Sequence, residues 1–113
     1  MKYALLIYSD EAEFDRLQDT PAVAGVMEGH RAFAVDMGSA IVGGSRLESP
    51  QTATTVRTRG AEKSLHDGPF AETKEQLGGF YLIDVPDLDA AIAAARKIPM
   101  LSQGCVEIRP VGA

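Results

Sequence analysis

Two short segments carry apolar residues at nearly every position, so apolar side chains fall on both faces of each predicted strand. The segments are KYALLIY at 2–8 and GGFYLIDV at 78–85. Successive side chains of a strand point to opposite faces of a sheet. Both segments are therefore predicted to be strands that are covered on both faces.

Two longer segments have the spacing of amphipathic helices. The first is predicted at 21–37, with Thr20 as its cap, Pro21 at its first position and Gly38 at its end. The second is predicted at 86–98, capped by Asp87 and closed by Pro99. At 100° per residue, the first helix has one apolar arc with His30 at its centre. The residues of this arc are Val23, Val26, Met27, Phe33, Ala34 and Met37, and those of the second helix are Leu88, Ala91, Ile92, Ala95 and Ile98.

The remaining strand signals are AIVGG at 40–44, a hairpin across 52–66 that turns near Arg59, Gly60 and Ala61, and CVEIRPV at 105–111. The order is strand, helix, strand, hairpin, strand, helix, strand over a single domain, residues 1–113. This α+β order predicts a ferredoxin-like βαββαβ fold with an inserted β-hairpin. Two helices can cover only one face of such a sheet, so the second face is predicted to pair with a second copy as an isologous homodimer.

Charge and composition exclude several classes of partner. The formal net charge is -5 and no cluster of Lys and Arg occurs, which argues against nucleic-acid binding. No segment approaches the roughly twenty apolar residues of a membrane span, and the apolar stretch at the N-terminus is too short for a signal peptide. Cys105 has no second cysteine to pair with, and we expect a buried structural thiol in a cytoplasmic protein.

His30 is the candidate catalytic residue. Its place in the apolar arc points it toward the sheet, where burial would lower its pKa and keep the ring neutral near pH 7, as a general base requires. The alternative is a core histidine whose nitrogens are bonded to a backbone carbonyl or a tyrosine hydroxyl.

Residues 66–80, HDGPFAETKEQLGGF, combine a strong turn signal with three acids and two phenylalanines. Asp67, Phe70 and Glu72 are candidate ligand contacts, with Arg46 as an anchor for an anion. The alternative for the acids is a solvated rim around a turn. Their spacing matches no metal loop, and VGGSR at 42–46 lacks the spacing of a phosphate-binding loop, so neither a metal nor a cofactor is predicted.

The stretches MKYALLIYSDE, GGSRL, DGPFAETKEQLGGFYLIDVPDLDAA and VEIRPV together resemble the DGPF-domain proteins of the YciI-related (YCII) family. The resemblance covers nearly the whole chain and implies a subunit that pairs into a dimeric α/β barrel. It also implies a His/Asp dyad in a pocket between helix and sheet, and one relative, in chloroaromatic breakdown, is a dehydrochlorinase. His30 matches the dyad histidine, whereas Ile98 stands where the aspartate is expected, and Asp67 or Glu72 is a candidate replacement.

Two functional hypotheses follow from these residues and this resemblance. The first is a homodimeric pocket protein that acts on a small molecule without a cofactor, as a lyase with His30 as general base. The second is a non-catalytic module that binds a ligand or regulates another protein, such as an accessory partner of a transcriptional regulator.

Overall fold

The computed structural model describes residues 1–112 and has the predicted ferredoxin-like α+β architecture. The strands are β1 (Lys2–Ser9), β2 (Ile41–Arg46), β3 (Thr54–Arg59), β4 (Glu62–Asp67), β5 (Gln76–Asp84) and β6 (Gly104–Pro110). A four-stranded antiparallel sheet has the order β2-β5-β1-β6, and a separate hairpin is formed by β3 and β4. The helices are α1 (Glu11–Arg16), α2 (Pro21–Met37) and α3 (Leu88–Ala95).

The helix boundaries follow the local sequence signals, with two corrections. Helix α2 begins at Pro21 and ends before Gly38, whose φ of +54° suits glycine, as predicted. Thr20 precedes the helix, but its hydroxyl donates to the Leu17 carbonyl and does not cap. Helix α3 is capped by the Asp87 side chain, as predicted, but ends at Ala95. The predicted end at 98 was wrong, because Pro99 disfavours helical geometry at the residue that precedes it, Ile98.

The core lies between one face of the sheet and helices α2 and α3. Leu5 of β1 and Ile83 of β5 are fully buried there, against Phe33 of α2 and Ala91 and Ala94 of α3. Most apolar positions predicted on the helices are buried or half-buried. Ala34 and Leu88, which were also predicted in these arcs, are exposed.

The other face of the sheet, which we call the back face, carries the alternate residues of the same strands. In β1 and β5 these are Ala4, Leu6, Phe80 and Leu82, and all four are half-buried. Cys105 of β6 is paired with Tyr8 on this face and is exposed, so the expectation of a buried thiol was wrong. It lies near one end of β6, where partial desolvation of its sulfur and the neighbouring Glu75 carboxylate raise the pKa of its thiol.

Hairpin β3–β4 projects from the rest of the chain. It turns at Gly60 and Ala61, as predicted, but all six residues of β4 are exposed. Its cross-strand apolar pair, Val56 and Leu65, is 61% and 74% exposed. The projection gives the described residues a radius of gyration of 15.6 Å, above the roughly 13 Å expected for a compact chain of about this length.

Within residues 1–112, none of the helices combines the length and the apolar character that crossing a membrane requires.

Candidate functional site

A cavity of about 240 Å³ lies between α1, α2, the sheet and the segment that follows α3. Polar groups reach it from four elements: His30 from α2, Arg46 from β2, Tyr81 from β5 and Glu11 from α1. The rest of its wall is largely apolar. The apolar wall consists of Ile7, Phe14, Val26, Met27, Pro99, Met100 and Leu101.

His30 enters the cavity from the middle of α2 and is held by Tyr81. The distance between His30 Nδ1 and the Tyr81 hydroxyl is 2.7 Å, and the Tyr81 ring packs against Phe33 with centroids 4.9 Å apart. His30 Nε2 has no protein partner among the described residues. No buried side-chain nitrogen or oxygen there is left unpaired, so Nε2 has to be accessible through the cavity.

Both members of this pair are neutral at pH 7. Burial lowers the pKa of His30 below its ordinary value, and the nearby positive charge of Arg46 lowers it further. Burial also raises the pKa of Tyr81, so its hydroxyl keeps its proton. In the tautomer in which the neutral imidazole donates its Nδ1–H to the Tyr81 oxygen, Nε2 has a lone pair facing the cavity, and this is the tautomer that a general base at Nε2 requires.

Arg46 presents an unpaired guanidinium at the cavity. Its central carbon lies 4.6 Å from the centroid of the Phe14 ring, a stacking distance that orients the planar group. No carboxylate of the described residues lies within ion-pair distance of it, and its side-chain N–H groups donate to no protein acceptor there. The group is therefore available to an anionic ligand.

Glu11 is a buried, cavity-lining residue that sequence reasoning missed. It lies in the first turn of α1, is 8% exposed, and accepts a 2.5 Å hydrogen bond from Ser9 Oγ through Oε2. The carboxylate lies directly over Gly78, where an added Cβ would come within 2.8 Å of Oε2. The signal for α1 was present, because Asp10 and Glu13 have the spacing of a capping box, and the Asp10 side chain accepts from the Glu13 N–H.

Two close contacts hold the segment after α3 against the cavity. Ser102 donates its hydroxyl to both carboxylate oxygens of Glu13, at 2.8 and 2.7 Å, which ties this segment to α1. Pro99 packs on Gly29 of α2, where an added Cβ would lie 2.8 Å from Pro99 Cγ. Pro99 and Leu101 are thereby kept in the cavity wall.

The structure brings together two of the five predicted site residues. His30 and Arg46 line the cavity, whereas Asp67, Phe70 and Glu72 are not among its lining residues. Asp67 ends β4, and Phe70, 76% exposed, and Glu72 follow it on the surface. Ile98 is part of the buried core, and the two acidic residues that line the cavity are Asp10 and Glu11.

No group of three His, Cys, Asp or Glu side chains is arranged to hold a metal ion in the described part of the chain.

The family model of the YCII-related domain matches residues 1–112 of this chain. The chain belongs to the YCII-related family. A relative in this comparison is an uncharacterized protein of Rhizobium meliloti (strain 1021), to which this YCII-related chain is 38% identical over 116 residues. The alignment covers 98% of this chain and 92% of the relative.

Proposed function

We propose that this YCII-related protein is a cytoplasmic, homodimeric pocket protein that removes a proton from a small molecule without a cofactor, as a lyase of the dehydrochlorinase type. The observation that carries the proposal is the state of His30. Its ring is neutral, its Nδ1 is fixed by Tyr81, and its Nε2 is open to a mainly apolar cavity. A positioned neutral imidazole is the commonest general base in proteins.

The proposed step is an elimination with His30 as the base. Nε2 takes a proton from a carbon of the substrate, the electrons of that C–H bond form a C=C bond, and chloride leaves with the electrons of the C–Cl bond. The imidazolium that forms is stabilised by donation of its Nδ1–H to the Tyr81 oxygen. The Arg46 guanidinium binds an anionic group of the substrate and stabilises negative charge that develops in the transition state.

Asp67, Phe70 and Glu72 are left out of the proposed site, because in a single chain they lie on the surface beyond the cavity wall. Glu11 and Tyr81 take their place, since both side chains line the cavity with His30 and Arg46.

The homodimer is supported by the back face of the sheet. Both α2 and α3 pack on the opposite face, and the back face carries apolar side chains in β1 and β5. A second copy placed back to back would remove these side chains from water.

The test is a pair of histidine variants assayed with small chlorinated and oxygenated compounds, in which the carbon next to a saturated C–Cl carbon or to a carbonyl carries a C–H bond. Chloride release and exchange of substrate C–H for deuterium are followed by NMR. His30→Gln should lower turnover about 100-fold or more, the usual contribution of a general base. His66→Gln, at the exposed histidine of β4, is the matched control and should keep full turnover. Undiminished turnover in His30→Gln would refute the assignment of the base.

A second candidate function is a non-catalytic module that binds a metabolite, as an accessory partner of a transcriptional regulator would. The observation that favours it is Ile98, an apolar core residue at the place where the resemblance expects the dyad aspartate. Specific binding of a compound with neither chloride release nor deuterium exchange would select this function.

A further inference from the structure

Glu11 is the one charged side chain that is buried among residues 1–112. A buried carboxylate is costly unless its oxygens are paired with donors. The Ser9 hydroxyl donates to Oε2, and no described cation lies within ion-pair distance. Oε1 has no donor among the described residues, yet no buried side-chain oxygen there is unpaired, so Oε1 has to open on the cavity that Glu11 lines.

The cavity therefore presents one hydrogen-bond acceptor and one cationic hydrogen-bond donor to a ligand. Glu11 Oε1 is an acceptor that requires a donor, and the Arg46 guanidinium is a donor group that requires an anion. Between them the wall is apolar, with the Phe14 ring beneath Arg46 and Met27 and Leu101 nearby in the lining. A ligand that satisfies the whole cavity has one anionic end, one hydrogen-bond donor and an apolar skeleton.

The volume of the cavity limits the size of the ligand that it can hold. Its volume of about 240 Å³ is below the roughly 300–1,000 Å³ of sites for drug-sized ligands. Arg46 presents a planar fork whose shape matches a carboxylate. The donor is better supplied by a neutral hydroxyl than by an ammonium, because one O–H matches the single open oxygen of Glu11, whereas the largely apolar wall would leave the other N–H donors of an ammonium unpaired.

We propose that the cavity binds a small hydroxy-substituted aromatic carboxylic acid, with its carboxylate on Arg46 and its hydroxyl donating to Glu11 Oε1. This inference rests on the proposed function in one respect, namely that the cavity is a small-molecule site. It adds the chemical class of the ligand and makes Glu11 a specificity-determining residue.

The experiment compares four probes by isothermal titration calorimetry: benzoate, phenol, 3-hydroxybenzoate and 4-hydroxybenzoate. At least one hydroxybenzoate should bind the wild-type protein about tenfold more tightly than benzoate, because its hydroxyl adds a hydrogen bond to a charged group, which is stronger than one between neutral groups. Glu11→Gln should reduce this advantage of the hydroxyl to about threefold or less. Arg46→Gln should instead reduce the advantage of the hydroxybenzoate over phenol.

Glu28→Gln is the matched control, since it removes the same charge from the exposed face of α2 and should leave all four affinities unchanged. Should Glu11→Gln fail to fold, Gly78→Ala is the second variant, because its added methyl group displaces the Glu11 carboxylate. It should reduce the same advantage of the hydroxyl.

Three results would overturn the ligand class. They are no binding of any probe at millimolar concentration, no preference of the wild type for a hydroxybenzoate over benzoate, or a preference of this kind that persists in both Glu11→Gln and Gly78→Ala. The proposed base is judged separately. A hydroxyl preference that depends on Glu11, together with undiminished turnover in His30→Gln, keeps the ligand class and rejects the base.

Discussion

At the scale of single residues, three polar side chains determine what the cavity can bind. His30 is a neutral imidazole, Arg46 is a guanidinium cation, and Glu11 is a buried acid that accepts a hydrogen bond from the Ser9 hydroxyl. Arg46 and His30 are coupled, because the guanidinium charge disfavours a proton on the imidazole. An anionic ligand on Arg46 would reduce this repulsion and raise the pKa of His30, so binding would take up protons at mildly acid pH.

The lowered pKa of His30 also predicts how stability depends on pH. Its pKa in the folded protein is below the ordinary value of 6.5, so the unfolded chain binds the proton first as pH falls. The His30 contribution to the free energy of unfolding is therefore full above pH 6.5 and is lost progressively below it, down to the folded pKa. Urea unfolding of the wild type and His30→Gln at pH 7.5 and pH 5 measures this effect.

The wild type should lose more stability than His30→Gln between these two pH values. Equal losses in the two proteins would show that burial does not disfavour the charged imidazole. His66→Gln, whose histidine is exposed, should lose as much as the wild type.

At the scale of elements, the shape of the cavity depends on how closely α2 approaches the segment after α3. Gly29 has no room for a side chain because Pro99 packs against it, whereas Gly25, one turn earlier on the same helix, has no other atom within 4 Å of an added Cβ. The two glycines therefore lie one turn apart on the same helix, and only Gly25 has room for a side chain.

Gly25→Ala and Gly29→Ala should change stability in opposite directions. Gly25→Ala should raise the free energy of unfolding by about 0.4–1 kcal/mol, because alanine restricts the unfolded chain. Gly29→Ala should lower it by about 1–3 kcal/mol through overpacking and should also weaken ligand binding, since Pro99 is part of the cavity wall. Denaturant unfolding of both variants checks the signs, and a stabilised Gly29→Ala would contradict the close packing.

Much of the fold at this scale could be predicted from the sequence. Helix α2, the hairpin and strands β1 and β5 follow from apolar spacing and from turn residues such as Gly60, and His30 was placed by the apolar arc of α2. Helix α1 could not be predicted from apolar spacing, because its six residues contain only Phe14 as a large apolar side chain. Glu11 was missed with it, since a glutamate in a short polar stretch is usually solvated.

The candidate site was harder to predict than the fold. Asp67, Phe70 and Glu72 were chosen for their composition, but a turn signal does not determine where the turn lies relative to a cavity. Arg46 was chosen for its chemistry, and it lines the cavity because strand β2 extends two residues beyond the predicted end. Tyr81 was predicted only as a strand residue, and its bond to His30 depends on the register of β5 against the helices.

At the scale of the whole molecule, the proposed homodimer depends on the back face. Leu82 is central on this face, since β5 pairs it with Ala4 of β1 on one side and Gly43 of β2 on the other. An arginine there would place a charge inside a back-to-back interface.

Leu82→Arg should therefore convert the dimer to a monomer at micromolar concentration, with secondary structure retained because the side chain points away from the core. Val35→Arg adds the same charge at a position of α2 that is 83% exposed, and it should remain dimeric. Sedimentation velocity of the wild type and both variants measures the outcome. A monomeric wild type would reject the homodimer, and a dimeric Leu82→Arg would place the interface elsewhere.

Hairpin β3–β4 has a practical consequence for work on this protein. Its tip at Gly60 and Ala61 lies in an exposed turn between exposed strands, and the hairpin contributes no residue to the cavity. Exposed loop tips of small residues tolerate insertions. A fluorophore attached at this tip would label the protein, and an affinity tag inserted there would immobilise it, without altering the residues that line the cavity.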